Sequence, residues 1–507
     1  MEHPASCYMG IDIGTSGTKG VIIGPDCRII AECHVAHEIE NPKPNYYEHD
    51  AENVWWKEFC EVSRGLIRMS GIDSGEIAGV GASTLGADCL PVDEFCRPLR
   101  KAILYGIDSR SQQEIAELTG YYGERRVKEL FGRPICSGDV AAKILWIKKN
   151  EPEIYKKTYK FLTGSSFITA RLTGNYVIDQ FLAQASFRPL YHMDGRVNEE
   201  ECRMFCRPDQ IARAQPVHAA AGSVTARAAE ETGLKEGTLV ITGTGDSAAE
   251  AVSTGVLNPG DMMLQFGSTL FLYYCSDHLI MDDRVRGNNY LIPGTFSVAG
   301  GTNTAGTLTG WYRDVLFQDA VIEEKRTGRN AYETMLDGIE EIPPGSDGLI
   351  TLPYFAGERT PINDPNARGV LFGLKLTHDR RHMYRSALES IGYSVEQHLN
   401  ALKENGLPIK KVMAVGGGAK NLPWMQMISD ICGVAVHIAE VTTGAAYGDA
   451  LMAALGAGRF RDFNELGEVI RIGRVLVPDG ARHEIYKPYC RIYNALYQNT
   501  KELMHLL

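Results

Sequence analysis

Residues 8–23 read YMGIDIGTSGTKGVII, in which two short apolar runs flank a turn rich in Gly, Ser and Thr. The apolar runs predict two antiparallel β-strands, and Gly14 and Gly17 give the turn the backbone freedom that a tight reversal requires. Backbone N–H groups in such a turn can form a concave anion-binding site. The residues alone leave two interpretations open, a phosphate-binding loop and a plain β-hairpin. Asp12 stands beside the turn, and its negative charge suits a bound phosphate only if a cation lies between them.

The bulk properties exclude several classes of protein. A chain of 507 residues predicts roughly two to four domains, and 44% hydrophobic with 23% charged residues is typical of a globular protein with a sizeable core. The formal net charge of −11 argues against nucleic acid or an anionic membrane as a partner. Twelve cysteines occur without metal-site spacing, and no signal sequence or membrane-spanning apolar run is evident. We therefore expect a cytoplasmic protein with reduced thiols.

A second unit of the same kind occurs near the middle of the chain. Residues 261–274 read DMMLQFGSTLFLYY, again a strand, a Gly/Ser/Thr turn and a second strand. Because the two units are about 250 residues apart, they indicate two related domains rather than a tandem repeat. Strands mixed with long helical stretches predict the α/β class. We place the boundary in TGVLNPGD, residues 254–261, which divides the sequence into domains 1–255 and 256–507.

Residues 243–248, GTGDSA, follow the apolar run LVIT and have two interpretations. They fit the G-x-G-x-x-A form of a dinucleotide fingerprint, which would indicate an NAD-binding dehydrogenase. However, Asp246 lies inside the turn, where its carboxylate would repel a pyrophosphate. That position favours a base that accepts a proton from a substrate hydroxyl during phosphoryl transfer. The structural alternative is that Asp246 caps the following helix.

Residues 413–433, MAVGGGAKNLPWMQMISDICG, combine a strand, three glycines and an amphipathic helix. Consecutive glycines allow a flat ring or a phosphate to lie against the backbone, and a tight strand-to-helix turn is the alternative. The sequence contains no HExxH, no GxSxG and no supported Cys–His arrangement. A zinc site and nucleophilic catalysis therefore have no candidate residues.

Together these motifs resemble the FGGY family of carbohydrate kinases, over essentially the whole chain. DIGTSGTK resembles the first phosphate loop of the family, GTGDSAAEA the segment with its catalytic aspartate, QFGSTL its second phosphate loop and GGGAKN its adenosine-binding turn. Residues 369–389, GVLFGLKLTHDRRHMYRSALE, resemble the C-terminal family signature. Residues 138–150, GDVAAKILWIKKN, resemble the other signature, although Val140 stands where the family usually has a small residue or proline.

The resemblance implies a two-domain actin/hexokinase-like (ribonuclease H-like) ATPase fold with a cleft between the domains. It implies an ATP-dependent kinase of a small sugar or polyol, in which Asp246 is the general base, and it is compatible with a homodimer. Asp12 and Asp246 would hold Mg²⁺. Residues from both predicted domains would contact Mg-ATP: Asp12, Gly14, Thr15, Ser16, Lys19, Gly267, Ser268, Thr269, Gly301, Gly417, Gly418 and Asn421.

The substrate depends on positions where the sequence departs from its relatives. The motifs as a whole are most similar to those of the xylulose kinases. Xylulose kinases have a Met-His pair after the strand that corresponds to IAGVGAS, and glycerol kinases have an Arg-Glu pair there. This sequence has Gly86-Ala87 at that position instead. Asp88 is then the nearest polar candidate for sugar binding. The family segment W-N-D-x-R survives as YGIDSR, in which Asp108 either binds a hydroxyl or pairs with Arg110.

We expect the substrate to be a pentulose such as xylulose, with Asp88, Asp108 and Asp246 as the substrate-binding residues. Ribulose, a tetrose or tetritol, or another polyol is the alternative within the family. An actin-like ATPase module that drives partner binding is the alternative outside it. Asp246 and the signature at 369–389 favour a sugar kinase over such a module.

Overall fold

The computed structural model of the protein describes residues 6–441 and 443–507. Strands and helices are mixed along the chain and form two compact units. The first unit comprises the described residues up to Leu257 together with 288–296 and 443–470, and the second unit comprises the remainder. The predicted two-domain α/β class is therefore confirmed, while the predicted cleft stays a prediction.

The strands and helices have the following bounds. The strands are β1 (Cys7–Ile13), β2 (Gly17–Ile23), β3 (Ile29–Ala36), β4 (Glu40–Lys43), β5 (Tyr46–His49), β6 (Ile77–Thr84), β7 (Leu90–Val92), β8 (Ala102–Ile103), β9 (Lys160–Leu162), β10 (Val177–Asp179), β11 (Arg213–Gln215), β12 (Ala220–Ser223), β13 (Leu239–Ile241), β14 (Thr244–Gly245), β15 (Asp261–Phe266), β16 (Leu270–Ser276), β17 (Arg286–Asn289), β18 (Phe296–Thr302), β19 (Ile350–Leu352), β20 (Val370–Phe372), β21 (Lys411–Val415), β22 (Val436–Ala439) and β23 (Ile472–Leu476). The α-helices are α1 (Lys57–Ser70), α2 (Gln112–Phe131), α3 (Val140–Asn150), α4 (Pro152–Lys157), α5 (Gly164–Thr173), α6 (Gln180–Ala185), α7 (Glu199–Phe205), α8 (Ala226–Thr232), α9 (Asp246–Ser253), α10 (Gly306–Leu316), α11 (Gln318–Thr327), α12 (Ala331–Thr334), α13 (Arg380–Glu404), α14 (Leu422–Cys432), α15 (Ala445–Gly456), α16 (Phe463–Gly467) and α17 (Gly480–Met504).

The central sheet of the first unit has the strand order β12-β13-β6-β1-β2-β3, and β14 also pairs with β6. Strand β1 pairs antiparallel with β2 and parallel with β6. The hairpin predicted from residues 8–23 is present, and in its turn the N–H of Gly14 donates to the carbonyl of Gly17 (3.0 Å). Asp12 and Lys19 lie opposite each other across the hairpin. The turn residues 14–16 therefore project from the end of the two strands.

Helix α15 packs on β1 and β6, and glycines permit its close approach. A Cβ on Gly10 would overlap the carbonyl oxygen of Ala446, and a Cβ on Gly81 would lie 2.6 Å from that of Asp449. Both neighbours are backbone atoms, so no change of rotamer could relieve the overlap. Helix α15 belongs to the segment 443–470, which the predicted division assigns to domain 256–507. The compact units differ from the predicted domains 1–255 and 256–507, because helix α15 of this segment packs on the central sheet of the first unit.

The sheet of the second unit includes the strand order β18-β16-β15-β21-β22-β23. Strand β15 pairs antiparallel with β16 and parallel with β21, which repeats the pattern of β1 with β2 and β6. Helices α13 and α14 pack together, and Trp424 Nε1 donates to the carbonyl oxygen of Leu388 (3.0 Å). The described part of the chain includes no helix with both the length and the apolar character needed to cross a membrane.

We expect Gly448→Ala to destabilise the first unit by about 1–3 kcal/mol, because its Cβ would overlap the backbone of Ala249 and overpacking against fixed atoms costs that much. Gly120→Ala is the matched control. A Cβ there meets nothing within 4 Å, and alanine is favoured over glycine in a helix such as α2. Thermal unfolding measures both variants, and an unchanged melting temperature for Gly448→Ala would show that the close packing is not required.

Candidate active site

Four carboxyl groups of the first unit lie near the carboxyl ends of β1, β6 and β14: those of Asp12, Asp246, Glu250 and Asp449. Burial, together with the negative charge of Asp246, raises the pKa of Asp12 to about 8. Burial and Asp246 likewise raise the pKa of Glu250 to about 7. Carboxyl groups that raise one another's pKa values in this way bind protons or cations more readily than isolated ones.

Asp246 begins helix α9 and is half-buried. The backbone N–H of Ser247 donates to its Oδ1 (2.7 Å). Burial raises the pKa of Asp246 to about 6, and the hydrogen bond from Ser247 opposes that rise. The N-cap of α9 is Gly245, so the alternative that Asp246 caps the helix is wrong. Asp246 is the first helical residue, and its side chain is accessible to a small molecule.

Ser83 connects two of these carboxyl groups. Its Oγ lies 3.0 Å from Asp12 Oδ1 and 2.5 Å from Asp449 Oδ2. A hydroxyl has one proton to donate, so both contacts are hydrogen bonds only if one of the carboxyl groups is protonated. Burial raises the pKa of Asp449 well above its ordinary value, which favours Asp449 as the protonated partner. Sequence reasoning missed Asp449, and the available signal was a single acid inside the apolar run AAYGDALMAALG.

The residues present fit a magnesium ion that is bound partly by a substrate. Within residues 6–441 and 443–507, no group of three or more His, Cys, Asp and Glu side chains converges into a complete metal site. Mg²⁺ usually takes one or two carboxylates and completes its shell with water and phosphate oxygens. Asp12 and Asp246 are two such carboxylates, close enough for the charge of one to raise the pKa of the other.

Tyr105 is a further residue of this site that sequence reasoning missed. Burial raises the pKa of its hydroxyl, a hydrogen bond with the Thr15 side chain opposes the rise, and the nearby charges of Asp246 and Asp88 add to it. Tyr105 therefore stands between the turn at residues 14–16 and the acidic cluster. The signal was its position, since it is the aromatic first residue of YGIDSR.

Asp88 lies behind the surface at Gly86 and Ala87. Asp88 and Lys143 are both fully buried, whereas Gly86 and Ala87 are partly exposed. Lys143 Nζ donates to the carbonyl oxygen of Ala87 (2.7 Å), and neither carboxylate oxygen of Asp88 has a well-formed hydrogen bond to the described residues. Burial raises the pKa of Asp88, and the charge of Lys143 opposes this rise. The predicted contact of Asp88 with a sugar stays a prediction.

Asp108 pairs with Arg110, which is the alternative to sugar binding that the sequence left open. Its Oδ2 accepts hydrogen bonds from Arg110 Nη2 and from the N–H of Tyr47, both at 2.7 Å. Arg110 also forms an ion pair with Glu48 (2.8 Å). The buried carboxylate of Asp108 is thus occupied by groups of the chain itself, and its predicted role in binding a hydroxyl stays a prediction.

The second unit contains a cavity of about 820 Å³ between its two glycine-rich turns. Some of its lining residues were predicted from the sequence: Gly267, Ser268, Gly417, Gly418 and Asn421. Others were missed because they carry no motif: Thr307, Asn330, Tyr332, Glu333 and Leu336. The structure thus brings together two motifs that are about 150 residues apart in the chain.

Two other predicted nucleotide contacts in this unit lie outside the lining of the cavity. Thr269 ends the turn that Gly267 begins, and its carbonyl accepts from the N–H of Gly267 (3.0 Å). Gly301 is required by packing, since a Cβ there would overlap the carbonyl oxygen of Leu270. Its N–H donates to Thr360 Oγ1 (2.6 Å). Direct contact of Thr269 and Gly301 with a nucleotide stays a prediction.

The three consecutive glycines have different roles. Gly416 has a φ of 85°, in the left-handed region that favours glycine. A Cβ on Gly418 would lie 2.9 Å from the Trp424 ring, so that position has no room for a side chain. A Cβ on Gly417 would meet nothing within 4 Å, although Gly417 lines the cavity. Gly417 therefore borders free space in which a ligand could lie.

The two sheets of matching topology, the acidic cluster and the cavity between glycine turns define a two-domain α/β phosphotransferase. The model of the FGGY family of carbohydrate kinases, N-terminal domain, matches residues 7–253, and the model of the C-terminal domain matches residues 263–457. The chain therefore belongs to the FGGY family of carbohydrate kinases and is an ATP-dependent carbohydrate kinase. The resemblance predicted from the motifs is confirmed.

Curated and solved relatives agree with this assignment. The chain is 29% identical to the xylulose kinase of Bacillus subtilis over 500 residues, which is 98% of this chain and 97% of the relative. It is 26% identical to the gluconokinase of the same organism over 471 residues, 92% of this chain and 90% of the relative. The crystal structure of the xylulose kinase from Rhodospirillum rubrum matches with a TM-score of 0.88 at 27% identity, over 98% of this chain and 100% of that one.

Proposed function

We propose that the protein transfers the γ-phosphoryl group of ATP to a hydroxyl group of a neutral sugar, a pentulose such as xylulose, with Asp246 as the general base. The observation that carries the proposal is the environment of Asp246. The Ser247 N–H holds its Oδ1, which leaves Oδ2 to accept the proton of the sugar hydroxyl. A pKa of about 6 suits a base that is mostly ionised at neutral pH yet still binds a proton.

The first unit supplies the groups nearest to the transferred phosphoryl group. Asp246 takes the hydroxyl proton as the sugar oxygen attacks the γ-phosphorus, and the N–H groups and hydroxyls at Gly14, Thr15 and Ser16 hold phosphate oxygens. Lys19, opposite Asp12 on the hairpin, adds positive charge. Asp12 and Asp246 would hold Mg²⁺, which when bound would offset negative charge on the phosphates.

The second unit supplies the nucleotide site. We assign the adenosine of ATP to the cavity beside Gly417, Gly418 and Asn421, and phosphate contacts to Gly267, Ser268 and Thr269. The volume of the cavity, about 820 Å³, is in the range of small-molecule sites, and Tyr332 and Leu336 give it apolar walls suited to an adenine ring. Its glycine-lined floor allows a flat ring to approach the backbone closely.

The charges near Asp246 favour a neutral substrate. Gluconate, the substrate in the name of the related gluconokinase, is the second candidate. An anionic substrate would add a negative charge to a site that already contains Asp12, Asp246 and Glu250. The buried cation Lys143 faces Asp88, whose negative charge offsets it. Repulsion between like charges therefore disfavours an aldonate relative to a ketose of similar size.

We expect Asp246→Asn to lower kcat by about 10²–10⁴-fold, because the amide cannot accept the hydroxyl proton. The dissociation constant of ADP, measured by calorimetry, should change by less than about threefold, because the proposed adenosine site lies in the second unit. Asp209→Asn, an exposed acid in the first unit, is the control and should have wild-type kcat. Near-normal turnover of Asp246→Asn would eliminate Asp246 as the base.

We expect Gly417→Val to raise the dissociation constant of ADP about tenfold or more, because Gly417 lines the cavity and a side chain there would compete with the ligand for space, while its Cβ meets nothing within 4 Å. Gly480→Ala is the control, since a Cβ at this first residue of α17 in the second unit meets nothing within 4 Å and lies outside the cavity lining. The melting temperature of Gly417→Val should stay within a few degrees of wild type. Unchanged ADP affinity in a folded Gly417→Val protein would place the nucleotide elsewhere.

The substrate class is tested by ADP release with xylulose, ribulose, erythritol, glycerol and gluconate, with a reaction lacking any acceptor as control. We expect kcat/KM to be highest for a pentulose and at least about tenfold lower for gluconate, because of the repulsion described above. Highest activity with gluconate would contradict the inference of a neutral substrate. Highest activity with glycerol would contradict the interpretation of Gly86-Ala87 as a departure from glycerol kinases.

A further inference from the structure

A chain of buried hydrogen bonds connects helix α1 to the turn between β1 and β2. Thr18 Oγ1 donates to Glu58 Oε2 (2.7 Å), which also lies 2.8 Å from His37 Nδ1. His37 Nε2 lies 3.0 Å from the carbonyl oxygen of Gly14. The side chains of His37 and Glu58 are only 5% and 10% exposed. The polar groups of this chain are therefore shielded from water and depend on one another.

The contacts place one proton on His37 Nε2. The Gly14 carbonyl can only accept a hydrogen bond, so Nε2 is the donor. His37 Nδ1 and Glu58 Oε2 share a second hydrogen bond, and Oε2 also accepts from Thr18 Oγ1. The nearby ring of His49, 4.9 Å away, is neutral because its Nδ1 accepts a hydrogen bond from Trp55 Nε1. Burial and the charge of His37 lower the pKa of His49 to about 4, which agrees with this assignment.

His37 holds two peptide groups of the turn. Its ring binds the carbonyl of Gly14, and its backbone N–H donates to the carbonyl of Ser16 (3.2 Å). In a trans peptide the C=O of one residue and the N–H of the next point in opposite directions. The hydrogen bond to Gly14 therefore directs the N–H of Thr15 away from His37. Among the described residues, no backbone acceptor takes up the Thr15 N–H.

We propose that His37 and Glu58 are positioning residues for ATP: they orient the Gly14–Thr15 peptide so that the Thr15 N–H points at a phosphate oxygen. The inference rests on the proposed function, because it takes residues 14–16 as a phosphate loop. Neither residue touches the nucleotide, so each acts through the backbone of the turn.

Two substitutions of His37 separate its two side-chain hydrogen bonds. The amide nitrogen of His37→Gln reaches the position of Nε2 and can still donate to Gly14, whereas that of His37→Asn reaches the position of Nδ1 and can donate only to Glu58. We expect His37→Asn to raise the KM for ATP and the dissociation constant of Mg-ATP about tenfold, and His37→Gln to raise them less than about threefold. The KM for the sugar should change by less than about twofold in both variants.

The control is His34→Asn, a substitution of an exposed histidine on β3, the strand that ends just before His37, and it should leave all constants unchanged. Glu58→Gln should resemble His37→Asn, while Glu61→Gln, an exposed acid on α1, should resemble wild type. Wild-type ATP affinity in His37→Asn, or equal losses in the Asn and Gln variants, would overturn the positioning role. A rise in the KM for the sugar as large as that for ATP would also overturn it.

Direct binding of Mg-ATP, measured by calorimetry without sugar, separates the two proposals. If the wild-type protein binds Mg-ATP and His37→Asn binds it equally well, the positioning role is wrong and the proposed function is unaffected. If the wild-type protein does not bind Mg-ATP, both proposals are wrong. Melting temperatures of the variants establish that any loss of affinity occurs in folded protein.

Discussion

The close approach of helix α15 to strands β1 and β6 is the constraint on which the first unit depends. The glycines at 10, 81 and 448 remove the Cβ atoms that would otherwise separate the helix from its neighbours. This packing brings Asp449 against Ser83, and through it near Asp12. The helix comes from a segment that begins at residue 443, whereas the preceding part of the unit ends at residue 296. A site built in this way exists only after residues 443–470 have packed against β1 and β6.

The acidic cluster is the electrostatic result of that packing. Burying several carboxyl groups together is unfavourable unless protons or cations reduce their charge, and the raised pKa values of Asp12, Asp246 and Glu250 reflect this. Such a site suits phosphoryl transfer, because that reaction requires a divalent cation to be bound and a hydroxyl proton to be accepted. In the proposed function, the same repulsion would disfavour an anionic acceptor relative to a neutral one.

The sequence predicted the local features of the site and missed those made by distant contacts. The β1–β2 hairpin and the strand–turn–strand unit at 261–274 were predicted, because alternation of apolar runs with Gly, Ser and Thr is a local signal. Several lining residues of the cavity were predicted for the same reason. Tyr105, Asp449 and Tyr332 were missed, since their positions in the site depend on contacts with residues distant in the sequence.

The sequence by itself determined the family, the class of reaction and the positions of the glycine turns. Each of these depends on a short motif, and the backbone conformation of such a motif is set by adjacent residues. Only the tertiary structure decided the environments of the polar side chains: Asp108 is occupied by Arg110, Asp88 is enclosed with Lys143, and His37 bridges Glu58 to the turn. The physical reason is that burial and hydrogen bonding depend on residues far apart in the chain, whereas turn geometry depends on residues that are adjacent.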